Sequence, residues 1–150
     1  MSKLVIFDLD DTLLCADSEF HFTKYIVKQG MLDKDFYLKK INAFDKDYRS
    51  GNLNFNDYMK FLLYPLIGKT KKEVDLIVTS FINSSKDILI DDLTLELLEK
   101  HKKDNLLIAS GALDFIVQGF ANYFGVDEFI GTKTEFVEDK VTGETTGEPN

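Results

Sequence analysis

The sequence predicts an α/β protein in which a parallel sheet is interrupted, directly after its first strand, by a run of helices. Three observations lead to this prediction. One apolar strand opens the chain at residues 4–7, a second lies at residues 106–109, and the long segment between them has apolar side chains at helical spacing. Strands that alternate with helices favour a parallel sheet, because each helix carries the chain back to where the next strand begins.

The first strand, Leu4–Phe7, is a continuous apolar run with β-branched and aromatic side chains. Such a run is typical of a strand that is covered on both faces of its sheet. Its C-terminal end leads directly into Asp8, Asp10, Asp11 and Thr12. Because open α/β sheets bind ligands beyond the carboxyl ends of their strands, this acidic group is the first candidate site.

Asp8 and Asp10 have the spacing of a catalytic pair of carboxylates. If the chain stays extended through Leu9, the two side chains point to the same side of the backbone. Two carboxylates so close repel each other, and a hard cation such as Mg²⁺ or a shared proton relieves the repulsion. One can then attack phosphorus while the other donates and accepts a proton. The alternative interpretation is a polar loop or a helix N-cap.

The spacing of apolar side chains predicts four helices with short connections over residues 17–86. Asp17 and Asn54 are placed as helix starts, and Thr70 with Glu73 has the spacing of a capping box. Pro65 is expected to bend or end the third helix. The size of this segment favours an insertion between the first strand and the rest of the sheet.

The remainder of the chain returns to the sheet. The pattern predicts a helix at residues 92–102, the strand at 106–109, a helix at 114–124, a short strand at 129–130 and a hairpin over 134–145 that turns at 138–140. Ser110 and Gly111 follow the second strand immediately before a helix. The Ser110 hydroxyl and the nearby amides could bind a phosphate there, although a simple turn or cap is the alternative.

These residues carry a resemblance to a known family. The stretch FDLDDTLL resembles the first motif of the haloacid dehalogenase-like phosphatase superfamily, and LLIASGA resembles its second motif. The helical run and the tail FIGTKTEFVEDKVTGETTGEPN resemble its phosphoserine phosphatase-like subfamily, nearest to an uncharacterised branch in which some members act on histidinol phosphate. The resemblance implies a Rossmann-like core of residues 1–14 and 87–150, incomplete at its C-terminus, with a helical cap of residues 15–86.

The resemblance also implies roles for the site residues. Asp8 would be the nucleophile and a Mg²⁺ ligand, and Asp10 the general acid and base and a second Mg²⁺ ligand through its carbonyl. Asp8, the amides from Leu9 to Asp11, Ser110 and Gly111 would hold the phosphoryl oxygens. The implied activity is hydrolysis of a small phosphorylated metabolite through an aspartyl-phosphate, with Mg²⁺ as cofactor. Transfer of the phosphoryl group to another acceptor stays open.

The chain departs from the family after its hairpin. The third motif, a lysine, and the fourth, an acidic pair, belong downstream of Pro149-Asn150, where this sequence stops. We therefore expect the 150 residues to be the N-terminal part of a longer protein, with weak Mg²⁺ binding and little or no turnover. Metal-dependent hydrolysis by this chain would contradict that expectation. Lys133 and Lys140 are expected in the strand edge and the hairpin, not in place of the lysine.

Three further residues are candidates for contact with the organic part of a substrate. Asp17 and Glu19 lie where the chain leaves the site for the helices, so either could bind a substrate amine. Arg49 could bind a carboxylate. The alternatives are an N-cap and an exposed first turn for the two acids, and a surface position for the arginine.

Composition narrows the function classes. The net charge of −8 and the absence of a basic block argue against nucleic acid as a partner. The single cysteine, Cys15, excludes an internal disulfide and fits a reducing compartment. No apolar run reaches 18 residues, so we expect no signal peptide, no membrane span and a cytoplasmic protein. The sequence does not indicate an oligomeric state.

Two other function classes stay open. A chain without the later motifs could be a non-catalytic phosphate-binding or interaction module. A phospho-acceptor signalling domain also has carboxylates at strand ends, but it gives no reason for four helices directly after the first strand.

Overall fold

The computed structural model describes residues 3–147 and shows a four-stranded sheet with helices. The strands follow each other across the sheet in chain order: β1 (Leu4–Phe7), β2 (Asn105–Leu113), β3 (Glu128–Val137) and β4 (Lys140–Thr146). β1 pairs with β2 and β2 with β3 in parallel, whereas β3 and β4 are antiparallel. The predicted α/β class with a parallel sheet is confirmed.

The predicted helical insertion is also confirmed. The helices are α1 (Ser18–Lys28), α2 (Lys34–Ser50), α3 (Phe55–Leu63), α4 (Lys71–Leu89), α5 (Asp92–Lys100) and α6 (Asp114–Phe124). The first four lie between β1 and the helix that leads back to β2. Each begins at a polar side chain that accepts a hydrogen bond from an amide three residues on: Asp17, Asp33, Asn54 and Thr70. Pro65 lies in the short 3₁₀ turn that follows α3, as expected.

One face of the sheet forms the core. Phe7 and Ile108, which are register partners on β1 and β2, are buried on this face. α6 packs against β2 and β3, and α5 lies on the same side, where Leu98 lines a surface cavity together with Leu106 of β2. The buried apolar cluster extends from this face into the inserted helices without a break.

The opposite face carries apolar side chains that reach solvent, and here a prediction is wrong. We expected β1 to be covered on both faces, but Leu4 and Ile6 are 61% and 59% exposed. Within residues 3–147, β1 is an edge strand and no helix covers these two side chains. We call the surface formed by Leu4, Ile6, Leu107, Ala109 and Ile130 the open sheet face.

The inserted helices share their core with the sheet. The ring of Phe81 on α4 contacts Phe22 on α1 at 5.3 Å between centroids and Phe120 on α6 at 6.1 Å. α3 packs against β4 at the other end of the insertion. The boundaries of a separate cap, residues 15–86, therefore stay a prediction. No helix in the described part of the chain is long and apolar enough to cross a bilayer.

The C-terminal strands differ from the prediction in one respect. The short strand and the first arm of the hairpin are one continuous strand, β3, which passes through Gly131. A Cβ there would lie 2.7 Å from Cα of Asp114, so the close approach of α6 requires glycine. The hairpin turns at Glu138 and Asp139, whose φ angles of 52° and 63° suit a tight hairpin turn. Pro149 and Asn150 lie outside the described residues.

Candidate active site

The acidic stretch after β1 forms a tight turn at the carboxyl end of the sheet. The turn, Leu9–Leu13, is closed by a hydrogen bond of 3.0 Å from the amide of Leu14 to the carbonyl of Leu9. Asp8 precedes it in an extended conformation, and its Oδ1 accepts a hydrogen bond of 2.8 Å from the Leu9 amide. The Leu9 side chain is fully buried and anchors the turn in the core.

The backbone of this turn differs from the expected one. The chain does not stay extended through Leu9, because the helical turn begins at that residue. Asp10 then returns to an extended conformation, and Asp11 adopts a left-handed one with φ of 57°. The result is that Asp10 is partly buried while Asp8 and Asp11 remain exposed. Asp8 and Asp10 nevertheless lie close enough for the charge on Asp8 to raise the pKa of Asp10.

Asp10 has the electrostatics of a proton donor and acceptor. Burial raises the pKa of Asp10 to about 6, and the negative charges of Asp17 and Asp8 act in the same direction. Hydrogen bonding with Ser18 opposes the rise, since the Ser18 amide donates to Asp10 Oδ1 at 2.9 Å. A carboxyl group with a pKa near neutrality can both give and take a proton at physiological pH.

The end of β2 supplies the second half of the site through a bulge. Between Ala109 and Leu113 the chain of β2 advances four residues while β3 advances only two, from Ile130 to Thr132, so two residues of β2 are extra. The bulge therefore removes Ser110 and its neighbours from the regular ladder. Because Phe7 is the partner of Ile108, Asp8 and Ser110 both follow the paired segment at the same end of the sheet.

Two hydrogen bonds shape the bulge. The Ser110 hydroxyl accepts a hydrogen bond of 3.1 Å from the Ala112 amide, which leaves its proton to be donated elsewhere. The Thr132 hydroxyl donates to the carbonyl of Gly111 at 2.8 Å. Ser110 is largely buried, whereas Gly111 is exposed. A turn with a hydroxyl donor and an exposed glycine suits a phosphoryl group.

Glu19 is buried, contrary to the exposed first turn that the sequence left open. It is 6% exposed, and its Oε2 accepts a hydrogen bond of 3.1 Å from the Leu113 amide at the end of the bulge. Burial raises the pKa of Glu19 well above its usual range, and the charges of Asp17 and Asp10 add to the rise. Asp17 itself is the exposed N-cap of α1 and accepts from the Phe20 amide at 2.9 Å.

Arg49 does not contact the acidic residues of the site. It lies in the last turn of α2, where its side chain is 78% exposed and forms an ion pair of 3.1 Å with Asp45. The surface position that we gave as the alternative for Arg49 agrees with these contacts. Within residues 3–147, no lysine or arginine forms an ion pair with Asp8, Asp10 or Glu19.

Two residues of the site were not found from the sequence. Ser18 is fully buried, and its hydroxyl lies near enough to Asp10 to lower the pKa of that carboxyl without reaching hydrogen-bonding geometry. Tyr58 reaches the acids from α3, and its own pKa is raised, first by burial and then by the charges of Glu19 and Asp17. Ser18 follows an N-cap signal and Tyr58 lies in an apolar stripe, so each pattern indicated only a structural role.

The donor atoms of the turn fit a hard divalent cation. Asp8 offers carboxylate oxygens and Asp10 a backbone carbonyl, and the repulsion between their carboxylates is what a cation would relieve. Residues 3–147 contain no cluster of three or more histidine, cysteine, aspartate or glutamate side chains arranged around one metal position. Mg²⁺ commonly keeps several waters and binds through one or two carboxylates together with substrate phosphate, so this donor set is compatible with it.

Comparison with known proteins identifies relatives along nearly the whole chain. Residues 5–150 match the family model for haloacid dehalogenase-like hydrolases. A histidinol-phosphatase of Neisseria meningitidis serogroup C (strain 8013) is 31% identical over 153 residues, which cover 100% of this chain and 69% of that protein.

Solved structures show the same fold. A protein of unknown function from Bordetella pertussis Tohama I superposes with a TM-score of 0.87 at 22% identity, over 99% of this chain and 69% of that one. A phosphoserine phosphohydrolase-like protein from Francisella tularensis SCHU S4 gives a TM-score of 0.62 at 25% identity, over 97% of this chain and 65% of that one.

Proposed function

The chain belongs to the haloacid dehalogenase-like hydrolase family, and from this premise we propose that its site hydrolyses the phosphomonoester of a small metabolite through an aspartyl-phosphate. The observation that carries the proposal is the pairing of an exposed carboxylate, Asp8, with a partly buried one, Asp10, whose pKa is raised to about 6. Two neighbouring carboxyl groups with different environments are suited to separate roles as nucleophile and as acid and base.

The first half of the reaction uses both aspartates. Oδ1 of Asp8 is engaged by the Leu9 amide, so Oδ2 is the oxygen that attacks phosphorus. The new bond joins Oδ2 to phosphorus while the bond from phosphorus to the alcohol oxygen breaks. Protonated Asp10 gives its proton to that oxygen, and the alcohol leaves.

The second half restores the enzyme. Asp10, now ionised, takes a proton from water, and the water oxygen attacks phosphorus. The bond between phosphorus and Asp8 breaks, which releases inorganic phosphate, a free Asp8 carboxylate and a protonated Asp10. The same carboxyl group thus acts first as acid and then as base, which its raised pKa favours.

The phosphoryl oxygens are held by the turn and the bulge together. We assign them to the Ser110 hydroxyl and to the amides of Gly111 and Asp11. The Leu9 amide donates a hydrogen bond to the Asp8 side chain, so it could bind a phosphoryl oxygen only after that hydrogen bond breaks. When bound, Mg²⁺ would be held by an Asp8 carboxylate oxygen and the Asp10 carbonyl, and it would neutralise charge on the phosphoryl group.

The proposed substrate carries an amine. The Neisseria relative is a histidinol-phosphatase. By analogy we propose that the substrate of this chain is a phosphorylated amino alcohol, such as histidinol phosphate, that is free in the cytoplasm. The exposed carboxylate of Asp17 lies close enough to Asp10 to raise the pKa of Asp10, and Asp17 is the group that we propose binds the amine. Glu19, the other predicted amine ligand, is buried and accepts a hydrogen bond from the Leu113 amide, and the Tyr58 phenol lies near both acids. The contacts of Arg49 give no support for its predicted role in binding a carboxylate.

Adduct formation and phosphate release together test the proposal. Beryllium fluoride mimics an acyl-bound phosphoryl group, and with Mg²⁺ it should form an adduct seen by ¹⁹F NMR that is absent from Asp8→Asn. Phosphate release from histidinol phosphate and p-nitrophenyl phosphate is measured on the same samples. Metal-dependent release identifies the hydrolase. An adduct with little or no release agrees both with the hydrolase site, for which little turnover of these 150 residues is expected, and with the phosphate-binding module, and no adduct in the unaltered chain refutes both functions.

A further inference from the structure

We infer that Glu19 is a positioning residue: from the first turn of α1, it fixes the Ser110–Leu113 segment of the bulge in the conformation that receives the phosphoryl group. The inference rests on the proposed function for its chemistry. It goes beyond that function because it assigns to Glu19 a role toward the protein backbone, rather than toward a substrate amine.

The contact itself joins two distant parts of the chain. Oε2 of Glu19 accepts a hydrogen bond of 3.1 Å from the amide of Leu113, 94 residues later in the sequence. Glu19 is 6% exposed and Leu113 is 1% exposed, so water has little access to either partner. A buried amide that loses its acceptor is strongly disfavoured, and the Leu113 backbone is therefore held where Glu19 reaches it.

The hydrogen bond between Glu19 and Leu113 affects the phosphate-binding part of the site because Leu113 is only three residues from Ser110. Ser110 is tied to Ala112 by the hydrogen bond from the Ala112 amide, and Gly111 is tied to Thr132 through its carbonyl. Leu113, the next residue, is tied to Glu19. Side chains from outside the bulge thus hold its middle, through Thr132, and its C-terminal end, through Glu19. A shift at Leu113 would move the short segment of backbone that presents the Ser110 hydroxyl.

α1 also reaches the other half of the site. The amide of Ser18 binds Asp10, and the side chain of the next residue, Glu19, binds Leu113. Two consecutive residues of one helix therefore hold the proton donor and the phosphate-binding bulge in a fixed relation. This arrangement is what an in-line transfer requires, because small displacements of reacting groups slow such reactions strongly.

The chemistry needs only a hydrogen-bond acceptor at this position. A protonated carboxyl group keeps its carbonyl oxygen as an acceptor, and so does the amide of glutamine. Glu19→Gln should consequently preserve the function of the residue, whereas Glu19→Met has a similar length and no such acceptor. Glu96→Met, at an exposed position on α5, is the matched control for introducing methionine.

Hydrogen exchange and phosphate binding test the inference. In Glu19→Met we expect the Leu113 amide to exchange at least ten-fold faster, and the affinity for inorganic phosphate with Mg²⁺ to fall at least five-fold. Glu19→Gln and Glu96→Met should bind phosphate within two-fold of the unaltered chain, and their Leu113 amides should exchange no more than two-fold faster. Native exchange at Leu113 in Glu19→Met, or faster exchange with unchanged phosphate affinity, overturns the inference.

Two controls keep the outcomes separate. If Glu19→Met does not fold, the unaltered chain decides: exchange at Leu113 as fast as at exposed Gly111 overturns the inference, and strong protection supports it. If the unaltered chain binds neither phosphate nor beryllium fluoride, the proposed function fails, and the exchange rates still decide whether Glu19 fixes the bulge.

Discussion

The amide of Ser18 donates a hydrogen bond of 2.9 Å to Oδ1 of Asp10, so the first residue of the inserted helices holds the carboxyl group at the end of the sheet. The bond spans only eight residues, yet it links the turn after β1 to the start of α1. It also favours the ionised form of Asp10 and thereby limits the rise that burial causes in its pKa.

Replacing Ser18 by proline should raise the pKa of Asp10 above its present value of about 6, because the donor to the carboxylate is lost. Proline is accepted at the first helical position, and Asp17 already has the extended backbone that a residue before proline needs. Ser18→Ala keeps the amide and loses only the hydroxyl, so the pKa of Asp10 should rise less in this variant than in Ser18→Pro. Carboxyl ¹³C shifts followed over pH give both values; an unchanged pKa in Ser18→Pro would contradict the assignment.

Asp8→Asn should lower the pKa of Asp10 below about 6, since the Asp8 charge is one of the causes of its elevation. The same substitution removes the proposed nucleophile and should abolish the beryllium fluoride adduct. Asp11→Asn, at the exposed left-handed position of the turn, serves as control and should retain the adduct. A ¹³C titration in which Asp10 does not respond to Asp8→Asn would show that the two carboxylates are not coupled.

Glu19→Gln should stabilise the folded chain at neutral pH. The pKa of Glu19 in the folded state lies well above its ordinary value of 4.5, so between these two values the folded chain keeps a proton that the unfolded chain has released. The free energy of unfolding contributed by Glu19 therefore falls as pH rises through this window. Glutamine does not ionise, so Glu19→Gln does not lose this part of the free energy of unfolding as pH rises.

Urea unfolding of the two chains from pH 4 to pH 8 measures the effect. The advantage of Glu19→Gln should be smallest below pH 4.5 and should grow with pH, the window set by the raised pKa of Glu19. Glu96→Gln, at an exposed position on α5, is the control for replacing a carboxyl group by an amide. An advantage of Glu19→Gln that is constant over this range would mean that Glu19 ionises normally in the folded state.

Gly119→Ala should destabilise the chain by about 1–3 kcal/mol, although alanine is the better helix former. A Cβ on Gly119 of α6 would clash with Cγ1 of Val78 on α4, so either the Val78 side chain would have to leave its present rotamer or the two helices would have to separate. Val78→Ala removes the clashing atom. Denaturant midpoints should therefore show that the double variant is more stable than the sum of the two single changes predicts.

Local signals in the sequence located most of the fold. The capping side chains Asp17, Asn54 and Thr70 bind amides within the same helical turn, so neighbouring residues suffice to recognise them. The acidic motif and Ser110 were likewise placed at one end of the sheet, because parallel strands bring their carboxyl ends together.

The geometry of the site depends on distant contacts that no local pattern contains. The turn at Leu9 is set by burial of that side chain, and the bulge at Ser110 by how β2 registers against β3. The role of Glu19 depends on an amide 94 residues away. Burial, and not residue type, is what distinguishes Glu19 from the solvent-exposed acids of the same chain.

The open sheet face governs how this molecule behaves toward other surfaces. Leu4 and Ile6 keep more than half of their surface in water, so contact with any complementary apolar surface lowers the free energy. The net charge of −8 opposes self-association over distances of about 10 Å at moderate salt. Whether the molecules stay dispersed therefore depends on apolar attraction at the open sheet face and on electrostatic repulsion between negatively charged molecules. Added salt screens the repulsion and so favours precipitation.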